Sequence, residues 1–293
     1  MKKDSPLLIG AHMSIAGGMD KAIERGASVN CRTIQIFLKN NNQWKGKRIS
    51  EDERREFRRA EEETGIEPIF AHSCYLINLA ATDAGICKKS VAAMADEMER
   101  AEFLGVPFIV FHPGAHVGAG EEAGMRKIGD AVNGLIRRTR KLRVKLAYET
   151  TAGQGSSIGY CFEHLRRLLD MATDPERVGV CFDTCHVFAA GYDLRTQESY
   201  NKTMKTFDDL VGLDRILGFH INDSKKPLGS RRDRHEHIGK GLLGAKAFGF
   251  LLRDQRFAHV PKVLETPKGP DLKEDKENLA RLRRLARLPA RKG

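Results

Sequence analysis

Eight short apolar runs, each followed by a longer amphipathic segment, constrain the fold of this chain more than any other feature. Each run is three to five residues long and rich in β-branched or aromatic residues, which is typical of buried strands. The predicted strands are Leu7–Ala11, Thr33–Phe37, Ile69–Ala71, Phe108–Phe111, Lys145–Tyr148, Val178–Phe182, Ile216–Phe219 and Lys262–Leu264. The predicted helices are Met19–Ala27, Glu51–Thr64, Ile86–Leu104, Glu122–Leu142, Ile158–Met171, Gln197–Val211, Ala245–Arg253 and Lys273–Arg287. Eight strand–helix units predict a (β/α)8 TIM barrel of the α/β class.

The length and composition of the chain fit one such barrel. A chain of 293 residues has room for a single barrel, and a hydrophobic fraction of 41% excludes a disordered chain. No linker or change of composition divides the sequence. We therefore expect a single domain over residues 1–293, with a basic tail from about residue 288.

The sequence contains no predicted export signal or membrane span. The apolar run after the basic N-terminus covers only Leu7–Ile9, which is too short for a signal peptide, and no run approaches the roughly 20 apolar residues that span a bilayer. We expect a soluble cytoplasmic monomer whose six cysteines are reduced thiols. Cys181 and Cys185 are an alternative pair of zinc ligands, but their spacing is not Cys-x-x-Cys and no second pair completes the site.

The net charge of +11 favours polyanionic partners such as nucleic acid. A solvated basic surface explains the same charge when it is considered alone. Residues 281–292 are rich in arginine and contain no acidic residue. This segment is either a contact to backbone phosphate or a solvated end of the chain.

Histidines and carboxylates follow six consecutive predicted strands. The C-terminal ends of all strands meet at one rim of a barrel, so these side chains should converge, whereas the segments that precede the strands contain no comparable set. A helix cap or a local hydrogen bond explains any one of them, but six on one rim favour a shared site. The six are His72, His112, Glu149, Asp183, His220 and Glu265, and His12 follows the first predicted strand.

The types of side chain at this rim predict a cation site. Carboxylates that crowd together without a counter-charge repel one another, and imidazole nitrogen mixed with carboxylate oxygen favours zinc, with manganese or iron as alternatives. His186 lies three residues after Asp183, and Asp233 and His235 form a further pair in a loop that would otherwise be a charged surface segment. Nine candidate ligands suffice for three metals, because a catalytic zinc takes about three protein ligands. Such a centre is typical of phosphoester hydrolases.

Eight sequence blocks occur in order between residues 10 and 267. They are Gly10–Ser14, His72–Leu79, Phe111–Gly114, Glu149–Thr150, Cys181–His186, His220–Lys225, Gly229–Gly239 and Leu264–Pro267. Together they resemble the endonuclease IV family, the zinc-dependent apurinic/apyrimidinic (AP) endonucleases also called deoxyribonuclease IV. The resemblance implies a TIM barrel with three zinc ions.

The resemblance also implies a role for each candidate ligand. Glu149 would bridge two metals, and Glu149 and Glu265 are the expected catalytic residues. The implied zinc ligands are His72, His112 and Glu149 for the first ion, Glu149, Asp183, His220 and Glu265 for the second, and His186, Asp233 and His235 for the third.

The implied reaction is hydrolysis of the phosphodiester 5′ to an abasic site by a metal-bridging hydroxide. The products are a 3′-hydroxyl and a 5′-deoxyribose phosphate, and 3′-phosphodiesterase activity on blocked 3′ ends is the second implied activity. The implied partner is therefore double-stranded DNA that contains abasic sites or blocked 3′ ends. A nucleotide without a base gives up little stacking, so moving it out of the duplex costs little.

Five residues are candidate DNA contacts. Tyr75 and Leu76 match positions at which the family inserts side chains into the duplex. Lys225 and Arg234 are candidate phosphate contacts. Asn42 departs from the family pattern, because well-known bacterial members have an inserting arginine there, and DNA affinity or bending is expected to differ.

Two other classes of protein compete with this interpretation. A divalent-metal sugar isomerase or epimerase on a similar barrel also places Glu, Asp and His at strand ends, but it has no use for Asp233 and His235 or for a basic surface. A barrel that binds DNA without catalysis is disfavoured because every ligand position is filled.

Overall fold

The computed structural model describes residues 7–287, and these residues form a closed barrel of parallel strands surrounded by helices. The strands are β1 (Ile9–Met13), β2 (Thr33–Phe37), β3 (Ile69–His72), β4 (Phe108–Phe111), β5 (Gly114–Ala115), β6 (Lys145–Glu149), β7 (Ser157–Ile158), β8 (Val178–Asp183), β9 (Ile216–His220), β10 (Asp223–Ser224), β11 (His235–Glu236) and β12 (Lys262–Leu264). The helices are α1 (Met19–Ser28), α2 (Glu51–Thr64), α3 (Ala84–Leu104), α4 (Glu121–Arg138), α5 (Phe162–Asp170), α6 (Thr184–Ala190), α7 (Gln197–Leu210), α8 (Ala245–Arg253) and α9 (Lys273–Arg287).

The barrel closes in the neighbour order β1-β12-β9-β8-β6-β4-β3-β2. Each adjacent pair is parallel, and β1 pairs with both β2 and β12, so the described strands of the barrel leave no open edge. The predicted (β/α)8 fold is confirmed. The two remaining pairs, β5 with β7 and β10 with β11, are antiparallel two-residue ribbons outside the barrel.

The strands are buried on both faces and divide the apolar side chains into two layers. The outer layer packs between strands and helices, whereas a smaller cluster on the other face fills the barrel interior. Phe70 and Phe108 stack in this interior cluster with ring centroids 4.7 Å apart. The barrel is therefore a packed core rather than a channel.

The strands extend beyond their predicted ends, so several predicted rim residues are strand residues. His12, His72, Glu149, Asp183 and His220 lie inside their strands rather than after them. In these five cases the predicted strand stopped just before a histidine or a carboxylate. Backbone pairing continues past that point because it does not depend on the polarity of the side chain.

One predicted helix, Ile158–Met171, was wrong at its start. The helix begins at Phe162, and Ser157–Ile158 pairs instead with Gly114–Ala115 in the first ribbon. Ile158 fits the apolar spacing of the helix, but Gly159 has a φ of 101°, which interrupts a right-handed helix. The preceding helix, which was predicted to reach Leu142, ends at Arg138.

Two elements of the site were not predicted from the sequence. The seven-residue helix α6 begins directly after Asp183, whose side chain accepts a hydrogen bond from the His186 N–H at 2.7 Å. The ribbon of β10 and β11 includes His235 and holds the loop that contains Asp233. The predicted basic tail from about residue 288 lies outside the described residues.

Between residues 7 and 287, the helices are all too short or too polar to cross a membrane.

We predict that Gly10→Ala destabilises the barrel. A Cβ at Gly10 would overlap the carbonyl oxygen of Thr33 on the paired strand, and backbone in a closed barrel has little room to move. The expected loss is about 1–3 kcal/mol in the free energy of unfolding, measured by chemical denaturation. Gly134→Ala is the matched control, because Gly134 is helical and a Cβ there would lie 3.9 Å from the flexible end of Arg137. That change should raise stability by about 0.4–1 kcal/mol. Equal denaturation midpoints for the two variants would contradict the argument.

Candidate metal centre

Strand periodicity brings the predicted ligands to one layer at the top of the barrel interior. Successive side chains of a strand point to opposite faces, so a residue two positions after an interior residue faces the interior too. The interior cluster comprises Phe70, Phe108, Val110, Ala147, Cys181 and Val263. Five candidate ligands each lie two positions after a member of this cluster, and they are His72, His112, Glu149, Asp183 and Glu265. The apolar cluster therefore forms the floor beneath the candidate ligands.

The carboxylate of Glu149 lies at the centre of this layer and has no exposed surface. One oxygen, Oε2, is 3.0 Å from His72 Nε2 and 3.1 Å from His112 Nε2. The other, Oε1, is 2.9 Å from His220 Nδ1 and 3.2 Å from His186 Nδ1. Burial alone would raise the pKa of Glu149, but His220 and His112 hold this pKa well below its usual value. The two oxygens therefore face two different groups of histidines.

The donor atoms of the candidate ligands fall into separate groups. In the first two groups, all donor atoms lie within 4.8 Å of one another. The first group is His72, His112 and Glu149, and the second is Glu149, Asp183, His220 and Glu265. The third group is His186, Asp233 and His235. Asp233 lies between the two imidazoles, with Oδ2 3.0 Å from His186 Nε2 and Oδ1 3.3 Å from His235 Nε2. Asp183 and the thiol of Cys185 are further neighbours of this third group.

Backbone carbonyls orient three of these histidines. The Nδ1 atoms of His72 and His186 lie 2.8 Å from the carbonyl oxygens of Ser73 and Thr150, and that of His235 lies 3.2 Å from the Glu265 carbonyl oxygen. A carbonyl oxygen only accepts, so each Nδ1 bears the proton. The Nε2 lone pair of each ring is thereby free to bind a cation.

Two buried ring nitrogens test whether a metal fits. Like Nε2 of His12, Nε2 of His186 and Nε2 of His235 are buried without a hydrogen-bond partner among the described residues, and the latter two face Asp233. Burial would lower the pKa of His186, but Asp183 and Asp233 raise it well above its usual value. A cation between these nitrogens and carboxylates would occupy their lone pairs and balance the charge. Imidazole nitrogen and carboxylate oxygen in these proportions are the donors that zinc prefers.

The candidate metal centre opens into a cleft of about 930 Å³. Glu149, Asp183 and His220 are fully buried below it, whereas the side chain of His112 is 46% exposed. The cleft walls include ligands from all three groups together with aromatic and polar side chains. Among the lining residues are Phe37, Asn40, Asn41, His72, Tyr75, His112, His186, Asp233, His235, Glu265 and Lys268.

The structure places one of the five candidate DNA contacts, Tyr75, in the wall of the cleft. Tyr75 lines the cleft with 63% of its surface exposed, and Leu76 is half-buried against the core. Asn42, Lys225 and Arg234 are exposed. The loops after β2 and β3 touch each other here, because the Tyr75 N–H donates to the Asn41 carbonyl oxygen at 3.3 Å.

Helix α3 anchors both loops through buried charged side chains that sequence analysis did not identify. The Glu97 carboxylate forms a buried ion pair with Lys39 in the loop after β2 and accepts the Cys74 N–H at 3.1 Å in the loop after β3. One turn later, the Arg100 guanidinium donates to the carbonyl oxygens of Lys47 and Gly46 at 2.7 and 2.9 Å. These contacts from α3 fix the backbones of the loops after β2 and β3.

Comparisons with known proteins agree with this fold. A family model described as "Xylose isomerase-like TIM barrel" matches residues 23–285. A protein of Chloroflexus aggregans named "Probable endonuclease 4" is 51% identical over 281 residues, which cover 96% of this chain and 98% of that protein. The crystal structure of endonuclease IV from Thermus thermophilus aligns with a TM-score of 0.84 and 36% identity over 94% of this chain and 98% of that one.

The fold defines a TIM-barrel enzyme of the xylose isomerase-like class, and candidate metal ligands lie at its C-terminal rim. Within that class, the chain belongs to the endonuclease IV family of DNA-repair nucleases. The predicted family is confirmed. A D-tagatose 3-epimerase-like protein aligns with a TM-score of 0.72 at 17% identity, over 94% of this chain and 98% of that one, and this likeness shows the shared fold alone.

We predict that His112→Ala lowers the zinc content by about one ion per chain, because it removes one of about three ligands from the first group. Since the His112 side chain is exposed, its removal should leave the fold intact, and a thermal melt checks this. His116→Ala is the matched control, since His116 follows the same strand but belongs to none of the groups. Zinc is measured by plasma emission after loading and desalting. Equal zinc content in both variants would remove His112 from the centre.

Proposed function

We propose that this chain is a zinc-dependent AP endonuclease that cuts double-stranded DNA on the 5′ side of an abasic site. The products are a 3′-hydroxyl and a 5′-deoxyribose phosphate. The observation that best supports the proposal is the position of Glu149, whose two carboxylate oxygens face separate groups of histidines, as a bridging ligand requires. Three zinc ions would be held by His72, His112, Glu149, Asp183, His186, His220, Asp233, His235 and Glu265, with Glu149 and Glu265 as the catalytic residues.

When bound there, zinc supplies an activated water at neutral pH and neutralises charge on the phosphodiester. The protein supplies the geometry. The backbone carbonyls of Ser73 and Thr150 fix the protons on the far sides of His72 and His186, so these rings keep one orientation through the reaction. The half-exposed ring of His112 places one edge of the centre within reach of a phosphate in the cleft.

Selection of an abasic nucleotide would come from the cleft and its surface side chains. The exposed ring of Tyr75 packs edge-on against Phe37 with centroids 5.3 Å apart, so it projects from a fixed support. Inserted beside the lesion, Tyr75 and Leu76 would fill the space that the missing base leaves in the duplex. Lys225 and Arg234 would contact backbone phosphate, and exposed Asn42 would contact DNA without adding charge.

The same centre would also remove blocking groups from 3′ ends, because that reaction breaks the same kind of phosphodiester bond. We propose that the chain acts on DNA as a monomer. Zinc remains our proposal over manganese or iron because of the share of imidazole among the ligands. The sugar isomerase alternative leaves the third group unused, although Asp233 lies within 3.3 Å of both His186 and His235.

The deciding experiment uses a duplex oligonucleotide with one abasic site. The zinc-loaded protein should cut 5′ to the site and leave a 3′-hydroxyl that a polymerase extends, and a chelator should abolish the cut.

We predict that Glu149→Gln lowers turnover at least ~100-fold, because loss of the ligand itself should exceed the roughly 10–100-fold effect of losing an outer partner. Glu163→Gln, on the exposed face of α5, is the matched control. Absence of cutting by zinc-loaded protein would refute the proposal, and near-normal turnover of Glu149→Gln would remove Glu149 from the mechanism.

We predict that Tyr75→Ala lowers the preference for abasic over intact DNA without changing zinc content. Removal of a stacking ring costs about 1–3 kcal/mol, or roughly 5- to 150-fold in relative affinity. Tyr75→Phe keeps the ring and should keep the preference. Binding of both duplexes is measured by fluorescence anisotropy in the inactive Glu149→Gln background, which prevents cutting. An unchanged preference in the alanine variant would argue against insertion of this side chain.

A further inference from the structure

Gln35 is a fully buried polar residue in the same layer as the candidate metal ligands. It lies in β2, where it pairs with His12 of β1 and follows Thr33 by two positions. Neither the candidate ligand set nor the proposed DNA contacts include it. A buried amide costs free energy unless its donors and acceptor are all used, so its contacts indicate what it does.

The amide of Gln35 joins side chains from three other segments. Its Nε2 donates to Glu265 Oε1 at 2.7 Å and lies 2.8 Å from His12 Nδ1. Its Oε1 lies 2.8 Å from His220 Nε2. Both amide hydrogens and the amide oxygen therefore have partners.

The direction of these bonds follows from Glu265. A carboxylate that binds a metal has lost its proton and only accepts hydrogen bonds, and Glu265 belongs to the second group of candidate ligands. Gln35 must therefore turn its NH₂ group toward Glu265 and its oxygen toward His220. That oxygen only accepts, so the proton of His220 lies on Nε2.

This assignment leaves the lone pair of His220 on Nδ1. That nitrogen is 2.9 Å from Glu149 Oε1 and 3.2 Å from Glu265 Oε2, both in the second group of candidate ligands. His72, His186 and His235 have their outer nitrogens held by backbone carbonyls, which a side-chain substitution does not remove. The corresponding support of His220 is a side chain.

We propose that Gln35 is a positioning residue of the metal centre, which turns the Nδ1 lone pair of His220 toward the second metal and holds Glu265 in place beside it. The proposal rests on the metal centre proposed above. If the Gln35 amide is removed, zinc should bind more weakly at the second group, because both His220 and Glu265 lose a hydrogen-bond partner.

Zinc competition measures this effect without DNA. The parent protein and Gln35→Leu are titrated with a chromophoric chelator at fixed pH, with zinc itself as the probe. Loss of an outer partner of a metal ligand typically weakens binding about 10–100-fold, and we expect that loss for one of the zinc ions of Gln35→Leu. Gln197→Leu, at the exposed start of α7, is the matched control and should bind zinc as the parent does.

Gln35→Glu separates the two contacts if the leucine variant does not fold. A glutamate keeps an acceptor for His220 Nε2 but places an oxygen, rather than a donor, against Glu265. Zinc affinity should therefore fall here also, and the melting temperature should fall because two buried carboxylates then face each other. Parent-like zinc affinity in the folded variants, or a lower melting temperature with no change in zinc affinity, would overturn the proposal. Because no DNA is present, this result is independent of whether the chain cuts abasic DNA.

Discussion

The buried carboxylate of Glu149 and the four imidazoles within 3.2 Å of it are the interaction on which the rest of the rim depends. An ionised carboxylate without water costs several kcal/mol unless positive charge or hydrogen bonds offset it. Glu265 and Asp183 add negative charge to the same layer. The rim therefore needs cations, supplied by protons on the histidines or by metal ions between the groups. Metal ions fit the geometry better because three rings already hold their protons on the Nδ1 atoms that face backbone carbonyls.

The barrel makes this concentration of charge tolerable. The interior below the ligands is filled by an apolar cluster that includes the stacked rings of Phe70 and Phe108, so the ligands cannot relax downward. Around them, polar side chains pair with several of the other donors and acceptors. Asn222, for example, donates to Asp183 Oδ2 and accepts the Glu265 N–H, both at 2.7 Å. Closure of the barrel thus turns separate strand ends into one rigid, hydrogen-bonded layer.

The sequence was sufficient to predict the barrel and the convergence of the candidate ligands, because both follow local rules. Apolar runs and helical spacing predict strands and helices, and a polar residue where a buried strand ends is visible in any single run. Gln35 and the pair of Lys39 and Glu97 could not be predicted in this way. Gln35 contacts His220 across 185 residues of sequence, and Lys39 contacts Glu97 across 58. Their roles depend on which strands and loops become neighbours, and sequence spacing does not contain that information.

The anchoring of the surface loops explains how a contact residue can differ while the scaffold stays the same. Glu97 and Arg100 hold the backbone on both sides of Asn42, through Lys39 before it and the carbonyl of Gly46 after it. The side chain of Asn42 takes no part in this anchoring and is exposed. An arginine or an asparagine at this position therefore changes what the loop presents to a DNA backbone without moving Tyr75, which hydrogen-bonds to the same loop one residue away. The side chains at the cleft surface can therefore change without altering the geometry of the candidate ligands in the barrel. The buried charged residues of α3 make this possible because they fix the backbone of the loops that lie between the two.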